Sequence, residues 1–188
     1  MKTARQALVG LSREELAKTL SDHGFEKFRA KQVWQWLYGK GVTDFTQMSS
    51  IAKPQQAKMA ELFSIKRPTI AREHTSIDAT RKWLVEYADG NKVETVFIPE
   101  EDRGALCVSS QVGCTLSCSF CHTGTMPLVR NLHAREILSQ VLIARDKLEE
   151  WGKARDNGLF TNIVMMGMGE PLYNYEQVAR ALKIVMDG

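Results

Sequence analysis

The sequence lacks any apolar run that approaches the roughly 20 residues needed to cross a bilayer. Its first residues, Met1–Gln6, lack the apolar core of a signal peptide. Low-complexity stretches and collagen-like repeats are also absent, and 44% hydrophobic with 25% charged residues is typical of a globular chain. These features exclude membrane-spanning and disordered classes and predict a cytoplasmic protein with no membrane partner.

Cysteine is scarce, with only 4 in 188 residues. Structural disulfides are rare in the cytoplasm, because glutathione and thioredoxin keep thiols reduced there. Metal binding or redox chemistry is therefore the function to consider for these cysteines.

Charge of neither sign dominates the whole chain, but it is unevenly distributed. Residues 1–75 carry 13 Lys/Arg and 7 Asp/Glu, whereas residues 76–188 carry 12 and 15. A basic first segment favours contact with a polyanion such as nucleic acid. The alternative is a solvated helical surface that happens to be rich in lysine. The charge distribution alone slightly favours this alternative.

Residues 11–63 have helical patterns. Ser12 and Glu15 form the S-x-x-E capping-box pattern that begins a helix. A second helix is predicted over 29–38, and Pro54 suits the first turn of a third helix that ends at Phe63.

The aromatic residues of this segment allow two interpretations: stacking on bases, or the core of a small helical domain, which we favour for most of them. They are Phe25, Phe28, Trp34, Trp36 and Phe45.

A β-hairpin is predicted next, because Asp-Gly separates Arg81–Tyr87 from Lys92–Ile98. Strand alternation places Glu94, Val96 and Ile98 on one face. If that face is covered, the pKa of Glu94 should rise and Glu94 becomes a candidate base. If the face is open, Glu94 is an ordinary solvated residue, and the pattern alone favours this second interpretation.

From Ala105 the pattern alternates between strand and helix, which predicts an α/β fold with parallel strands. The predicted elements are strands Ala105–Ser110 and Thr161–Met166 and helices Ala134–Glu150 and Tyr175–Met186. The residues of the last helix predicted to face inward are Val178, Leu182, Val185 and Met186. Two parallel strands make an implausible finished core, so we expect further units beyond residue 188.

Three cysteines follow the first of these strands. Cys114, Cys118 and Cys121 have the spacing C-x3-C-x2-C, and three soft thiolates suit zinc or an iron–sulfur cluster. Three cysteines leave one iron of a four-iron cubane open for a small molecule. A zinc site completed by His122 is a less favoured alternative, because no second cysteine pair is present. Inert buried thiols are favoured least.

This spacing, with an aromatic residue before the last cysteine, resembles the radical S-adenosylmethionine (SAM) superfamily. Met166–Pro171 follows the second strand, where that superfamily has a Gly-Gly-Glu-like motif. The resemblance implies that Gly169 and Glu170 bind the methionyl amino group of SAM. Taken alone, this segment would be an ordinary β–α turn.

The amino-acid sequences of three segments resemble one family within this superfamily, the RlmN family of dual-specificity RNA methyltransferases. These segments are Cys107–Cys114, Arg130–Leu132 and Met165–Leu172. Cfr, which methylates C8 of adenosine, is a close relative of that family. The resemblance implies a basic helical RNA-facing domain at 1–75, a β-hairpin linker at 76–100 and the first βα units of a radical SAM barrel at 101–188.

The resemblance also implies the chemistry. Cys114, Cys118 and Cys121 would ligate a [4Fe–4S] cluster, and SAM would bind its open iron. Glu94 matches the family's proton-accepting glutamate. Cys107 matches the cysteine that pairs transiently, as a disulfide, with a methyl-carrying cysteine expected beyond residue 188. A buried strand thiol is an equally favoured interpretation of Cys107.

The implied substrates are adenosines of 23S rRNA and tRNA, methylated at C2. The implied partners are these RNAs and an electron donor such as flavodoxin or ferredoxin, and the complete enzyme is expected to be a monomer. Residues 1–188 alone are expected to be inactive. A Cfr-type C8 methyltransferase, another radical SAM enzyme, and a metal- or cluster-binding RNA-interaction module are the alternatives.

Overall fold

The structure is a computed structural model that describes residues 5–101, 103–152, 159 and 161–187. These residues form a helical N-terminal part and a sheet that two helices cover on one face. Within the described ranges, no helix is long and apolar enough to cross a bilayer.

The helical part contains three helices, closed by a two-stranded parallel pairing of β1 with β2. In chain order the elements are β1 (Gln6–Ala7), α1 (Arg13–Asp22), α2 (Phe28–Trp34), a π-helical turn at Gln35–Gly39, a 3-10 turn at Phe45–Gln47, α3 (Lys53–Leu62) and β2 (Phe63–Ser64).

The predicted start of α1 is confirmed. The Ser12 hydroxyl accepts the Glu15 N–H at 3.2 Å, and the Glu15 carboxylate accepts the Ser12 N–H at 2.8 Å. Each bond satisfies a backbone donor that has no partner within the helix. Pro54 lies in the first turn of α3, as predicted. The helix predicted over 29–38 is instead α-helical only to Trp34, and its last turn widens to a π-helix.

The aromatic side chains of this part mostly form its core. Phe25, Trp34 and Phe45 are buried, which confirms the core interpretation for these three, whereas Phe28 is 54% exposed. Burial of each large aromatic side chain contributes roughly 2–3 kcal/mol, so these residues stabilise the helical part strongly.

The main sheet has five strands in the order β3-β4-β5-β6-β9. The strands that follow the helical part are β3 (Thr69–Thr75), β4 (Arg81–Glu86), β5 (Lys92–Pro99), β6 (Gly104–Cys107), β7 (Gln111–Val112), β8 (Arg130–Asn131) and β9 (Asn162–Val164). The pairs β3–β4, β4–β5 and β5–β6 are antiparallel, and β6 pairs with β9 in parallel. A separate antiparallel ribbon is formed by β7 and β8.

The predicted hairpin is present as β4 and β5. It is hydrogen-bonded directly to β6, so it lies in the sheet that carries the cysteine loop. The sequence did not predict β3, which adds another strand to the sheet. The two expected parallel strands therefore extend a sheet that is already three strands wide.

The helices α4 (Ala134–Lys147) and α5 (Tyr175–Asp187) lie between the sheet and the helical part. Ile137 and Val141 of α4 pack with the sheet, whereas Leu138 and Leu142 pack with the helical core. Because α4 is apolar on both sides, it joins the two parts through two continuous cores.

The prediction is wrong for one residue of α5 that was expected to face inward. Met186 is 72% exposed, whereas Ala181 and Ile184 are buried beside the predicted Val178. These three residues follow the i, i+3 spacing of a helix face, and Met186 lies off that face.

Side chains also fix the junction between the two parts. Arg67 forms an ion pair with Asp146 of α4 at 3.0 Å, and the Trp151 indole donates to the same carboxylate at 2.6 Å. Gly41 has a φ of +65°, and a Cβ there would lie 2.0 Å from the Trp151 ring. Only glycine allows this approach, so the Trp151 ring packs directly on the Gly41 backbone at the junction of the two parts.

Candidate active site

The candidate site lies where β6 and β9 end. These strands are parallel neighbours, so their carboxyl ends meet at one edge of the sheet. Backbone bonds continue past the strands: Gly167 N–H donates to the Val108 carbonyl at 3.1 Å, and Ser110 N–H donates to the Met168 carbonyl at 2.8 Å. The loop after β6 and the loop after β9 are therefore held side by side. In open α/β sheets, ligands bind at this edge.

The cysteine loop follows β7. Gly113 precedes it with a φ of +76°, and a Cβ there would lie 2.1 Å from the Pro127 carbonyl oxygen. Within the loop, the Cys121 N–H donates to the Cys118 carbonyl at 3.1 Å. The Leu116 N–H donates to the Cys114 sulfur at 3.4 Å.

All three loop cysteines are free thiols of intermediate exposure, as is Cys107. In the described ranges no group of three or more His, Cys, Asp or Glu side chains could hold a single metal ion. A zinc site at Cys114, Cys118, Cys121 and His122 stays a prediction. Three unpaired, partly exposed thiols on one loop fit the donor set of a cluster, where each thiolate binds a different iron.

The loop after β9 depends on glycine. Gly169 has a φ of +96°, and a Cβ there would lie 2.4 Å from the Gln111 Cβ. The Glu170 carboxylate accepts the Leu172 N–H at 3.0 Å and caps the 3-10 turn Pro171–Asn174. Glu170 thus has a local structural role at the position where the sequence predicts a contact with SAM.

The predicted pair Glu94 and Cys107 lies on one face of the sheet. Cys107 pairs with Val96, and side chains two residues apart on a strand share a face, so Glu94 is its diagonal neighbour. This face is open: the Glu94 side chain is 46% exposed and forms an ion pair with Lys82 at 2.9 Å. The covered environment that would have made Glu94 a buried base is absent among the described residues.

The Cys107 thiol has a perturbed environment. Partial burial raises its pKa, and a hydrogen bond from the Met166 backbone opposes this shift. A raised pKa keeps the sulfur as a thiol at neutral pH, so it becomes a nucleophile only when a base removes its proton.

Several buried polar residues of the site were not singled out from the sequence. Gln140 of α4 accepts the Ser109 N–H at 2.8 Å and donates to the Ser109 carbonyl at 2.9 Å. The Ser109 hydroxyl in turn donates to the Glu94 carbonyl at 2.6 Å and accepts the Met168 N–H at 2.9 Å. The one available signal was the polar run Ser109–Gln111 directly after an apolar strand.

Comparisons with known proteins agree with this geometry. Residues 6–65 match the family described as ribosomal RNA large subunit methyltransferase N-terminal domain, and residues 108–188 match the radical SAM superfamily. A "Dual-specificity RNA methyltransferase RlmN" of Granulibacter bethesdensis is 59% identical over 100% of this chain and 48% of its own length. The chain is thus similar to RlmN enzymes along its whole length, and to the radical SAM superfamily over residues 108–188.

Another RlmN relative, from Gluconobacter oxydans, is 58% identical over 98% of this chain and 46% of its own length. A radical SAM methyltransferase of known structure from Sphaerobacter thermophilus superposes with a TM-score of 0.86 at 40% identity. This superposition covers 96% of this chain and 52% of that one. The chain thus spans about half the length of the RlmN relatives it matches.

Proposed function

We propose that this chain contributes the cluster- and SAM-binding part of an RNA methyltransferase that methylates C2 of adenosine in 23S rRNA and in tRNA. The observation that carries this proposal is the side-by-side placement of the cysteine loop and the Gly169–Glu170 loop at the ends of β6 and β9. The names of the RlmN relatives support RNA as the substrate.

The proposal assigns architectural roles to the two parts of the chain. Residues 1–75 face RNA with their excess of Lys/Arg, and they form a helical accessory domain except for Thr69–Thr75, which are β3 of the main sheet. Residues 76–100 connect this domain to residues 101–188, which form the first βα units of a radical SAM barrel. The parallel pairing of β6 with β9, with α4 between them in the chain, supports this assignment.

Cys114, Cys118 and Cys121 would hold a [4Fe–4S] cluster. When bound, the cluster would supply the electron that starts radical chemistry on SAM. Gly169 lets this loop pack directly against Gln111, which places Glu170 beside the cysteine loop, and the Glu170 carboxylate can accept hydrogen bonds from the amino group of SAM.

The open face of the sheet carries the groups proposed to resolve the product. An aromatic C2 carbon is too electron-poor to attack SAM as a nucleophile, so the methyl carbon is added to adenine by radical chemistry. Glu94 then accepts the proton from C2. As the C–S bond to the methyl-carrying cysteine breaks, the freed sulfur would join Cys107 in a transient disulfide, with release of the Cys107 proton and of one electron to the electron-transfer partner. That cysteine is not among the four of this chain. Both side chains share the uncovered face and are accessible.

We further propose that flavodoxin or ferredoxin supplies electrons and that the enzyme acts as a monomer. Because its RNA substrates are cytoplasmic, the protein is placed there too.

Anaerobic reconstitution with iron and sulfide tests the cofactor site. The expected result is about four irons per chain and an electron paramagnetic resonance (EPR) signal that changes when SAM is added. Cys118→Ala should abolish the cluster, whereas Cys107→Ser should retain it. A colourless chain that holds one zinc would contradict the proposal.

Nucleoside analysis tests the reaction. The complete protein that carries this chain should produce 2-methyladenosine in rRNA and tRNA, and residues 1–188 alone should not. A product of 8-methyladenosine would instead indicate a Cfr-type enzyme. RNA binding without any methylated product would indicate the interaction module.

A further inference from the structure

The side chain of Gln111 lies at the centre of the candidate site and contacts three chain segments. We propose that Gln111 is a positioning residue that sets the cysteine loop and the Gly169–Glu170 loop at one fixed separation, so that SAM binds both loops at once. This inference rests on the proposed function, because it concerns how the same site holds SAM.

The first contact fixes the cysteine loop. Gln111 Nε2 donates to the Thr115 hydroxyl at 2.9 Å, and Thr115 directly follows Cys114. The same nitrogen donates to the Asn131 side-chain oxygen on β8 at 2.8 Å. One amide group therefore ties the first cysteine of the loop to the β7–β8 ribbon.

The second contact fixes the loop after β9. Gln111 Oε1 accepts the Glu170 N–H at 2.9 Å, and the Gln111 backbone N–H donates to the Met168 carbonyl at 3.1 Å. Gly169 packs against the Gln111 side chain so closely that a Cβ would lie 2.4 Å from the Gln111 Cβ. The position of Glu170 thus depends on an atom of Gln111.

Glutamine is the side chain that can perform both tasks. Its amide offers two donors and an acceptor on one rigid plane. Gln111 is fully buried, so these bonds form where water does not compete with them. Methionine has a similar volume and keeps the backbone bond to the Met168 carbonyl, but it makes none of the side-chain bonds. After Gln111→Met the backbone bonds between the loops remain, but Thr115 and the Glu170 N–H lose the side chain that they share, so the two loops are less precisely positioned.

The test measures SAM binding to the reconstituted cluster, by titrating the SAM-dependent EPR change in Gln111→Met and in wild type. The cluster should be retained, because its three cysteines are unchanged, and the apparent Kd for SAM should rise about tenfold or more. A matched control is Gln56→Met, because Gln56 is also buried and donates to two carbonyls, those of Met48 and Ile51, in the helical part. The control should bind SAM as wild type does.

A second variant tests the same inference in case Gln111→Met does not fold. Thr115 is exposed, so Thr115→Val removes the hydroxyl bound by Gln111 at little risk to folding. Its Kd for SAM should rise about fivefold. A wild-type Kd in a folded Gln111→Met protein, or in Thr115→Val, would overturn the inference even while the wild-type chain binds cluster and SAM. A wild-type chain without a SAM response would instead overturn the proposed function.

Discussion

The two faces of the five-stranded sheet differ in both packing and chemistry. On one face, Trp83, Val85 and Val93 are completely buried beneath α4. On the other, Glu94 and Lys82 remain about half exposed and pair with each other. The same strands build both faces, and the alternation of side chains separates them. The covered face stabilises the protein, while the open face leaves Glu94 and Lys82 accessible.

The largest effect should come from the covered face. Trp83→Ala should lower the free energy of unfolding by about 3–5 kcal/mol, because it removes a fully buried indole and leaves a cavity. Its neighbour on the open face is the control: Leu84→Ala should cost only about 1 kcal/mol. Urea unfolding measures both. Equal losses would show that the open face is covered in solution.

The buried polar network behind the site should have the next largest effect. Gln140→Met should cost about 3 kcal/mol, because the backbone of Ser109 and the Thr95 hydroxyl, all fully buried, lose their hydrogen-bond partner. Ser139→Ala on the same helix is a suitable control, since its hydroxyl donates to the Arg135 carbonyl one turn earlier, a bond within the helix itself. If both variants unfold at the same urea concentration, this network does not support the sheet.

A smaller, pH-dependent effect is expected at Glu73, which lies opposite Trp83 in the sheet. Partial burial raises the pKa of Glu73, but hydrogen bonds from Lys147, Arg81 and Trp83 outweigh it and lower the pKa to about 2. Because the folded pKa lies below the ordinary value of 4.5, the stabilisation is complete above that value and is lost as the pH falls towards 2.

Glu73→Gln should therefore cost about 1–2 kcal/mol at pH 7, after allowance for solvent screening. The difference in the free energy of unfolding between Glu73→Gln and wild type should shrink steadily as the pH falls below 4.5. Chemical denaturation over a pH series measures it, with Glu86→Gln as a control in a longer, more exposed ion pair of 3.6 Å. A constant difference at every pH would contradict this origin of the stability.

The smallest stability effect belongs to the open face. Glu94→Gln should change the free energy of unfolding by less than about 0.5 kcal/mol, because its ion pair with Lys82 is half exposed. In the complete enzyme, however, the same substitution should slow product formation by about 100-fold or more, if Glu94 accepts the proton from C2. Unchanged SAM binding would separate this loss from a defect in the cofactor site. Full activity of the Glu94→Gln enzyme would show that Glu94 does not accept the proton.

Local patterns predicted much of the fold. Ser12 and Glu15 marked the start of α1, and the Asp-Gly turn marked the hairpin, because both depend on hydrogen bonds between residues close in the chain. The alternation of strand and helix patterns after Ala105 also predicted α4 and α5. Met186 was placed wrongly, since the width of the buried face of α5 depends on what packs against it.

The sequence by itself determined the cysteine spacing, the glycine loop after β9 and the face shared by Glu94 and Val96, since each is a matter of chain order or strand alternation. Only the tertiary structure decided that this face is open and that Gln111 joins two loops separated by more than fifty residues. Hydrogen bonds between distant segments leave no periodic pattern in the sequence. Packing of α4 on one side of the sheet decides which of two alternating faces is buried.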